Sequence, residues 1–331
     1  MNKINEYIKK HTLLFFFIFT FLLSWLMFII AMTLIPENEL YRAPFITVGA
    51  FAPALVSSLL SRSQKKREQS TRKRRSAAFA VTWIIAFINI LLFSLIIRNL
   101  AFDAILIMVT AFLALLPAFV LSSVYSKNKG VRDHLITLIK PKGSWEFYVL
   151  ALTGIPAVLL LGAVITQMIN GSIPDPMYSI QDAGWSMIFL MILLIFVSHL
   201  INSGGLAEEP GWRGFALKRM QMKISPLLAG IIIGFIWALW HIPVMMAQVQ
   251  ALGPIIVAAQ VLQLGITFTW LYNRTQGSLL SVALLHASWN TGGSFIPRTQ
   301  AFYIIMTMVM VIFVFSDRMW KRFSYKQGIF F

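Results

Sequence analysis

Residues 13–35 read LLFFFIFTFLLSWLMFIIAMTLI, 23 residues without one charged side chain. A helix rising 1.5 Å per residue covers roughly 35 Å over that length, enough for about 30 Å of hydrocarbon. Runs of the same kind follow near 44–61, 77–97, 104–125, 147–169, 185–206, 226–250, 255–272, 277–296 and 300–316. The whole chain of 331 residues is 58% hydrophobic and 12% charged, where a soluble domain has about 45–50% and about 25%. The fold class is therefore all-α, a polytopic transmembrane bundle of about ten spans. The first run is too long for the apolar core of a signal peptide and lacks a small-residue cleavage site, so it is expected to stay as a membrane anchor.

The chain carries 28 Lys and Arg against 12 Asp and Glu, a net charge of +16. Placing the N-terminus in the cytoplasm puts 25 of the 28 basic residues on that side and leaves only Arg42, Arg98 and Arg298 on the other. This is the positive-inside pattern, so the charge calls for no nucleic-acid partner. It predicts a multi-pass protein of the cell membrane with both termini cytoplasmic. The run Arg62–Arg75, RSQKKREQSTRKRR, reads first as a topology determinant and second as a contact for anionic membrane lipids. Cysteine is absent, which removes disulfides, thiolate zinc sites and cysteine nucleophiles together.

Ionisable side chains are nearly confined to the later spans. Three parts follow: 1–184, N-terminal spans and basic loops; 185–296, a core carrying the chemistry; and 297–331, the last span and tail. A titratable group inside a span is costly unless paired or hydrated, and so marks function. The stretch 204–223, GGLAEEPGWRGFALKRMQMK, offers Glu208, Glu209 and Arg213. In a helix restarting after Gly204 and Gly205, Glu209 and Arg213 share a face and pair, while Glu208 points about 100° away and is left to titrate or to hold water or metal. His241 lies deep in 234–246, GFIWALWHIPVMM, and His286 stands one turn before Asn290 in 284–294, LLHASWNTGGS. Such groups on three helices are expected to satisfy one another around a hydrated cavity. Glu208, His241, His286 and Asn290 form either an N/O ligand set for Zn2+ or a metal-free constellation, in which Glu and His activate water while His and Asn donate to an oxyanion. Both suit hydrolysis of an acyl bond. A proton or cation relay uses the same residue types.

His199 is expected to pack, and His11 and His134 lie at or near loops. Gly230 and Gly234 form a GxxxG pair suited to bringing helices close. No nucleophile elbow, HExxH or P-loop pattern is present.

Taken in order, Glu208-Glu209-Pro210-Gly211-Trp212-Arg213, Trp237-Ala238-Leu239-Trp240-His241 and His286-Ala287-Ser288-Trp289-Asn290 resemble the EExxxR, FxxxH and HxxxN motifs of the CAAX protease and bacteriocin-processing family, also called the Abi family. Trp237 stands where that family usually has phenylalanine, both being large aromatics able to wall a cavity. The resemblance covers 185–296. It implies an intramembrane endopeptidase, metalloprotease or glutamate type, acting on a peptide or lipidated protein in CAAX processing, or in bacteriocin maturation or self-immunity. Glu208 and His241 would then activate water, His286 and Asn290 would bind metal or stabilise the oxyanion, and Glu209 with Arg213 would form the supporting ion pair. A non-catalytic immunity or binding protein is the alternative, and an ion- or proton-coupled transporter ranks below it. Counting from Lys218, Lys223 and Arg274 as cytoplasmic edges puts Glu208, His241 and His286 at about 15, 27 and 18 Å depth. His241 is thus too deep unless a surface helix near 218–226, tilt, or a break at Gly204-Gly205 intervenes.

Overall fold

The computed structural model describes residues 7–8, 10–62, 72–178, 184–252 and 254–322. Most of the basic run 62–75 lies outside the described residues, as do Lys3, Lys9 and Lys326. The described residues are helical and contain no strand. The order is α1 Thr12–Ile29, α2 Glu39–Leu60, α3 Arg72–Leu92, α4 Ala104–Leu113, α5 Leu115–Ser122, α6 Lys129–Leu135, α7 Glu146–Asn170, α8 Trp185–Val197, α9 Gly204–Glu209, α10 Lys218–Gln221, α11 Pro226–Leu252, α12 Pro254–Arg274, α13 Leu279–Phe295 and α14 Gln300–Ser316. Each of the ten apolar runs falls on this helical scaffold. Among the described residues, seven segments are long and apolar enough to cross a membrane: Thr12–Leu34, Glu39–Leu60, Arg72–Ile97, Ala104–Tyr125, Glu146–Asn170, Trp185–Gln221 and Pro226–Met246. The molecule is a multi-pass membrane protein.

Helix starts follow their caps. The Asn38 side chain accepts from the backbone N–H of Leu40 and Tyr41, Asp103 from Leu106, Asn128 from Val131 and Thr299 from Phe302, each satisfying donors that a helix N-terminus leaves open. The run expected to end at 206 behaves differently. Its α-helix passes into a π-helical turn at Ser198–Asn202 and breaks at Ser203 (φ −146°, ψ −136°). It resumes at Gly204 itself and continues through a π-helical stretch, Pro210–Leu217, to Gln221. The polar residues at 208–213 end the apolar run, yet every side chain from Gly204 to Leu217 is buried. Arg213, counted above with the cytoplasmic charges, is inside the bundle.

Apolar transfer drives little helix association in lipid, so close approach matters more. Gly230 and Gly234 on α11 meet Gly265 on α12, where an added Cβ would stand 2.6 Å from Gly234 Cα and 2.9 Å from Gly230 O. Gly265→Leu is accordingly expected to force α11 and α12 apart at a cost of about 1–3 kcal/mol; a lowered melting temperature in detergent is the check, and an unchanged one would contradict the crossing.

The loop helix α6 packs against α2. His134 Nε2 lies 3.0 Å from Ser57 Oγ on α2. Burial first, then the Arg219 and Lys218 cations, push this imidazole down to about 3. The native protein therefore keeps His134 neutral where an unfolded chain, with an ordinary value near 6.5, takes up a proton. Stability contributed at this residue is intact above about pH 6.5 and declines as pH falls toward about 3. Thermal melts at stepped pH should show that decline, and His134→Gln should flatten part of it.

Candidate active site

The site is assembled where the segment after the Ser203 break meets α11, α12 and α13. Asn202 Nδ2 donates to Asn89 Oδ1 at 2.8 Å, and Asn89 Nδ2 donates to Leu194 O at 3.0 Å. This buried amide pair ties the segment just before the break to α3. Just beyond the break, the ring of His286 fills the space a Gly204 side chain would need, since a Cβ there would stand 2.4 Å from His286 Nε2. Gly204 is small to admit the imidazole, and not for an unusual φ.

Glu209 and Arg213 are fully buried, and Arg213 Nη1 donates to Glu209 Oε1 at 3.0 Å. The expected pair is present, and it has a third member. His286 Nδ1 reaches the same Glu209 Oε1 at 2.7 Å. The guanidinium carbon lies 4.5 Å from the ring centres of both Trp237 and Phe268, so Arg213 is sandwiched between two aromatic faces while its Nε and Nη2 find no hydrogen-bond partner among the described residues. Such faces supply part of what a missing acceptor would. Phe268 also packs edge-on against His286, ring centres 5.6 Å apart.

Glu208 takes a different partner. Trp237 Nε1 donates to Glu208 Oε2 at 2.7 Å, with both side chains nearly buried. No hydrogen bond among the described residues reaches Glu208 Oε1. His241 Nδ1 lies 2.8 Å from Trp237 O. A carbonyl only accepts, so the proton sits on Nδ1 and Nε2 keeps its lone pair. Asn290 stands one turn beyond His286 on α13, half-buried, and its side chain has no hydrogen bond among the described residues. His199 Nδ1 pairs at 3.3 Å with Ser203 Oγ at the break.

The expectation that glutamate and the histidines satisfy one another is thus corrected in part. Glu208 is held by an indole, His241 by its own helix and His286 by Glu209, because each has a nearer partner than the others. Helix α11 starts at Pro226, which puts Trp237 roughly 16 Å and His241 roughly 22 Å along it, so the excess depth expected for His241 is reduced and not removed. Neither Phe268 nor the Trp237 N–H was singled out from the sequence. The Gly204-Gly205 pair was the one local signal of the notch that receives His286.

For a metal, the donor set was Glu208, His241, His286 and Asn290. Among the described residues no group of three or more His, Cys, Asp or Glu side chains is placed to hold an ion. Glu209 is engaged by Arg213 and His286, and His286 Nε2 is pressed against Gly204. This arrangement does not fit a zinc cradle.

Residues 183–292 match the Rce1-like family of type II CAAX prenyl endopeptidases. This segment is of the CAAX protease family. A relative, CAAX prenyl protease 2 of Methanococcus maripaludis, is 28% identical over 166 residues, covering 47% of this chain. The match spans 59% of that relative's length. The matched segment contains Glu208, Glu209, Arg213, Trp237, His241, Phe268, His286 and Asn290.

Arg213→Met leaves Glu209 as a buried carboxylate facing only His286. Breaking such a pair costs about 3–5 kcal/mol, so the variant should be recovered from membranes in low yield with a markedly lowered melting temperature. Arg213→Lys, with no planar group to lie between Trp237 and Phe268, should restore only part of the loss.

Proposed function

We propose that the protein is an intramembrane endopeptidase of the cell membrane, hydrolysing a peptide bond near the C-terminus of a protein or peptide that carries a prenyl or similar lipid. The division between two adjacent carboxylates carries this reading. Glu209 is committed to a cation and an imidazole, whereas Glu208 keeps one oxygen free of hydrogen bonds among the described residues, and His241 on the helix of its indole partner keeps Nε2 as an acceptor. That is the arrangement a general base needs, within a segment of CAAX protease type.

In this mechanism Glu208 Oε1 accepts a proton from water as the water oxygen attacks the scissile carbonyl carbon. His241 Nε2 holds the second hydrogen of that water. The carbonyl oxygen becomes an oxyanion, and the Asn290 amide N–H is the donor suited to it. His286, with Nδ1–H directed at Glu209, orients that carboxylate and so steadies Arg213 and the Trp237 face. The C–N bond then breaks, and the proton on Glu208 passes to the leaving nitrogen. The carboxylate is regenerated, and the products are an acid and an amine. The lipid supplies the remote binding energy that holds the scissile bond at this depth.

Purified protein in detergent is to be tested against fluorogenic peptides with and without a C-terminal prenyl group, with metal content measured on the same sample. Glu208→Gln should abolish cleavage with the melting temperature kept, and Asn290→Ala should lower kcat roughly 100-fold. A fully active Glu208→Gln protein would overturn the reading. Zinc at one per chain, lost together with activity, would replace the metal-free mechanism with one in which Glu208, His241, His286 and Asn290 are ligands.

A further inference from the structure

We propose that Trp237 is a positioning residue for this hydrolysis, its indole N–H fixing Glu208 so that a single carboxylate oxygen faces the water. The kinetic consequence rests on the endopeptidase reading; the contact itself does not. An indole N–H only donates and has one hydrogen, so it can bind only one oxygen of the carboxylate at a time. At 2.7 Å to Oε2, with both side chains buried, it fixes the side-chain torsions of Glu208 and leaves Oε1 as the open acceptor. The donor is itself immobilised. One ring face lies against the Arg213 guanidinium at 4.5 Å, and ring centres of Phe268, His286 and His241 surround it at 5.8, 5.6 and 5.2 Å.

The same residue also reaches the second group of the mechanism. Its backbone carbonyl accepts from His241 Nδ1 and so sets the tautomer of that imidazole. One residue therefore orients Glu208 through its side chain and His241 through its main chain. Phenylalanine, usual at this place in the family the motifs resemble, could supply the aromatic wall and the carbonyl. It has no N–H. The side-chain half of the role is specific to tryptophan here.

Protein labelled with 15N-tryptophan, in detergent, gives the contact directly, the Trp237 indole resonance being assigned by its loss in Trp237→Phe. Expected is an upfield move of that N–H in Glu208→Gln, where the acceptor is neutral, and a larger one in Glu208→Ala. Kinetically, Trp237→Phe should lower kcat about tenfold or more with KM within about twofold, because it removes a charge-assisted hydrogen bond and keeps the wall. Where Trp237→Phe fails to fold, Trp237→β-(3-benzothienyl)alanine keeps the bicyclic shape without the donor and should show the same kcat loss. An indole resonance unmoved by Glu208→Ala overturns the proposal, as does a wild-type kcat in the donor-less variants or a loss carried by KM alone. A wild-type protein that shows the resonance shift yet cleaves no peptide overturns the endopeptidase reading and leaves the Trp237–Glu208 bond standing.

Discussion

A guanidinium inside a hydrocarbon-bounded bundle has to be neutralised where it stands, and Arg213 sets that requirement for this protein. Taking an ion out of water costs several kcal/mol even after relaxation. One hydrogen bond to Glu209 cannot offset it alone, and two of the guanidinium nitrogens have no acceptor among the described residues. The faces of Trp237 and Phe268 supply the remainder, one from α11 and one from α12, while His286 from α13 completes the charge around Glu209. Three helices are thereby held against the segment 204–217 by one side chain. The electrostatics of one residue and the packing of the whole core are the same problem.

The requirement separates the two glutamates. They are adjacent, so in helical geometry they cannot share a face, and whichever faces Arg213 is lost to chemistry. Glu209 takes that role, and its Oε1 accepts from both Arg213 and His286. Glu208 is turned toward Trp237 and keeps a free oxygen. The wide π-helical backbone after Pro210 runs through Arg213 itself, so the ion pair is set between an α-helical carboxylate and a π-helical cation. Irregular helix of this kind recurs at functional sites because it re-aims side chains that a regular helix would stack.

How far this was legible depends on the distance over which each feature is encoded. Apolar runs and their caps are local, and the helices stand where the runs do. Glu209 with Arg213 is a four-residue relation, equally local. The break before Glu208 was expected from Gly204-Gly205, and the structure starts the new helix at Gly204. By contrast, the partner of Glu208 is 29 residues away in sequence and that of His286 is 77, and no periodicity relates them. Phe268 is one phenylalanine among 27 in the chain. Reading Trp237 only as bulk missed its N–H, a donor whose importance depends on what lies 2.7 Å away.

The early helices belong to the same argument. They carry no group of the proposed chemistry, yet α1 lays Phe16 against Trp212 and Phe215, and Phe28 against Trp240, with ring centres 5.1–5.6 Å apart. Trp25 Nε1 donates to Trp240 O, the carbonyl of the residue just before His241. Trp212 precedes Arg213 in the same way. An aromatic ladder thus runs from the first span to the neighbours of two site residues. In lipid, where burying apolar surface between helices brings little gain, such interlocking rings and interhelical hydrogen bonds are what remain to hold one helix to another. The site's geometry is therefore set from both sides: from within by neutralising Arg213, and from without by a helix that presses on the residues next to it.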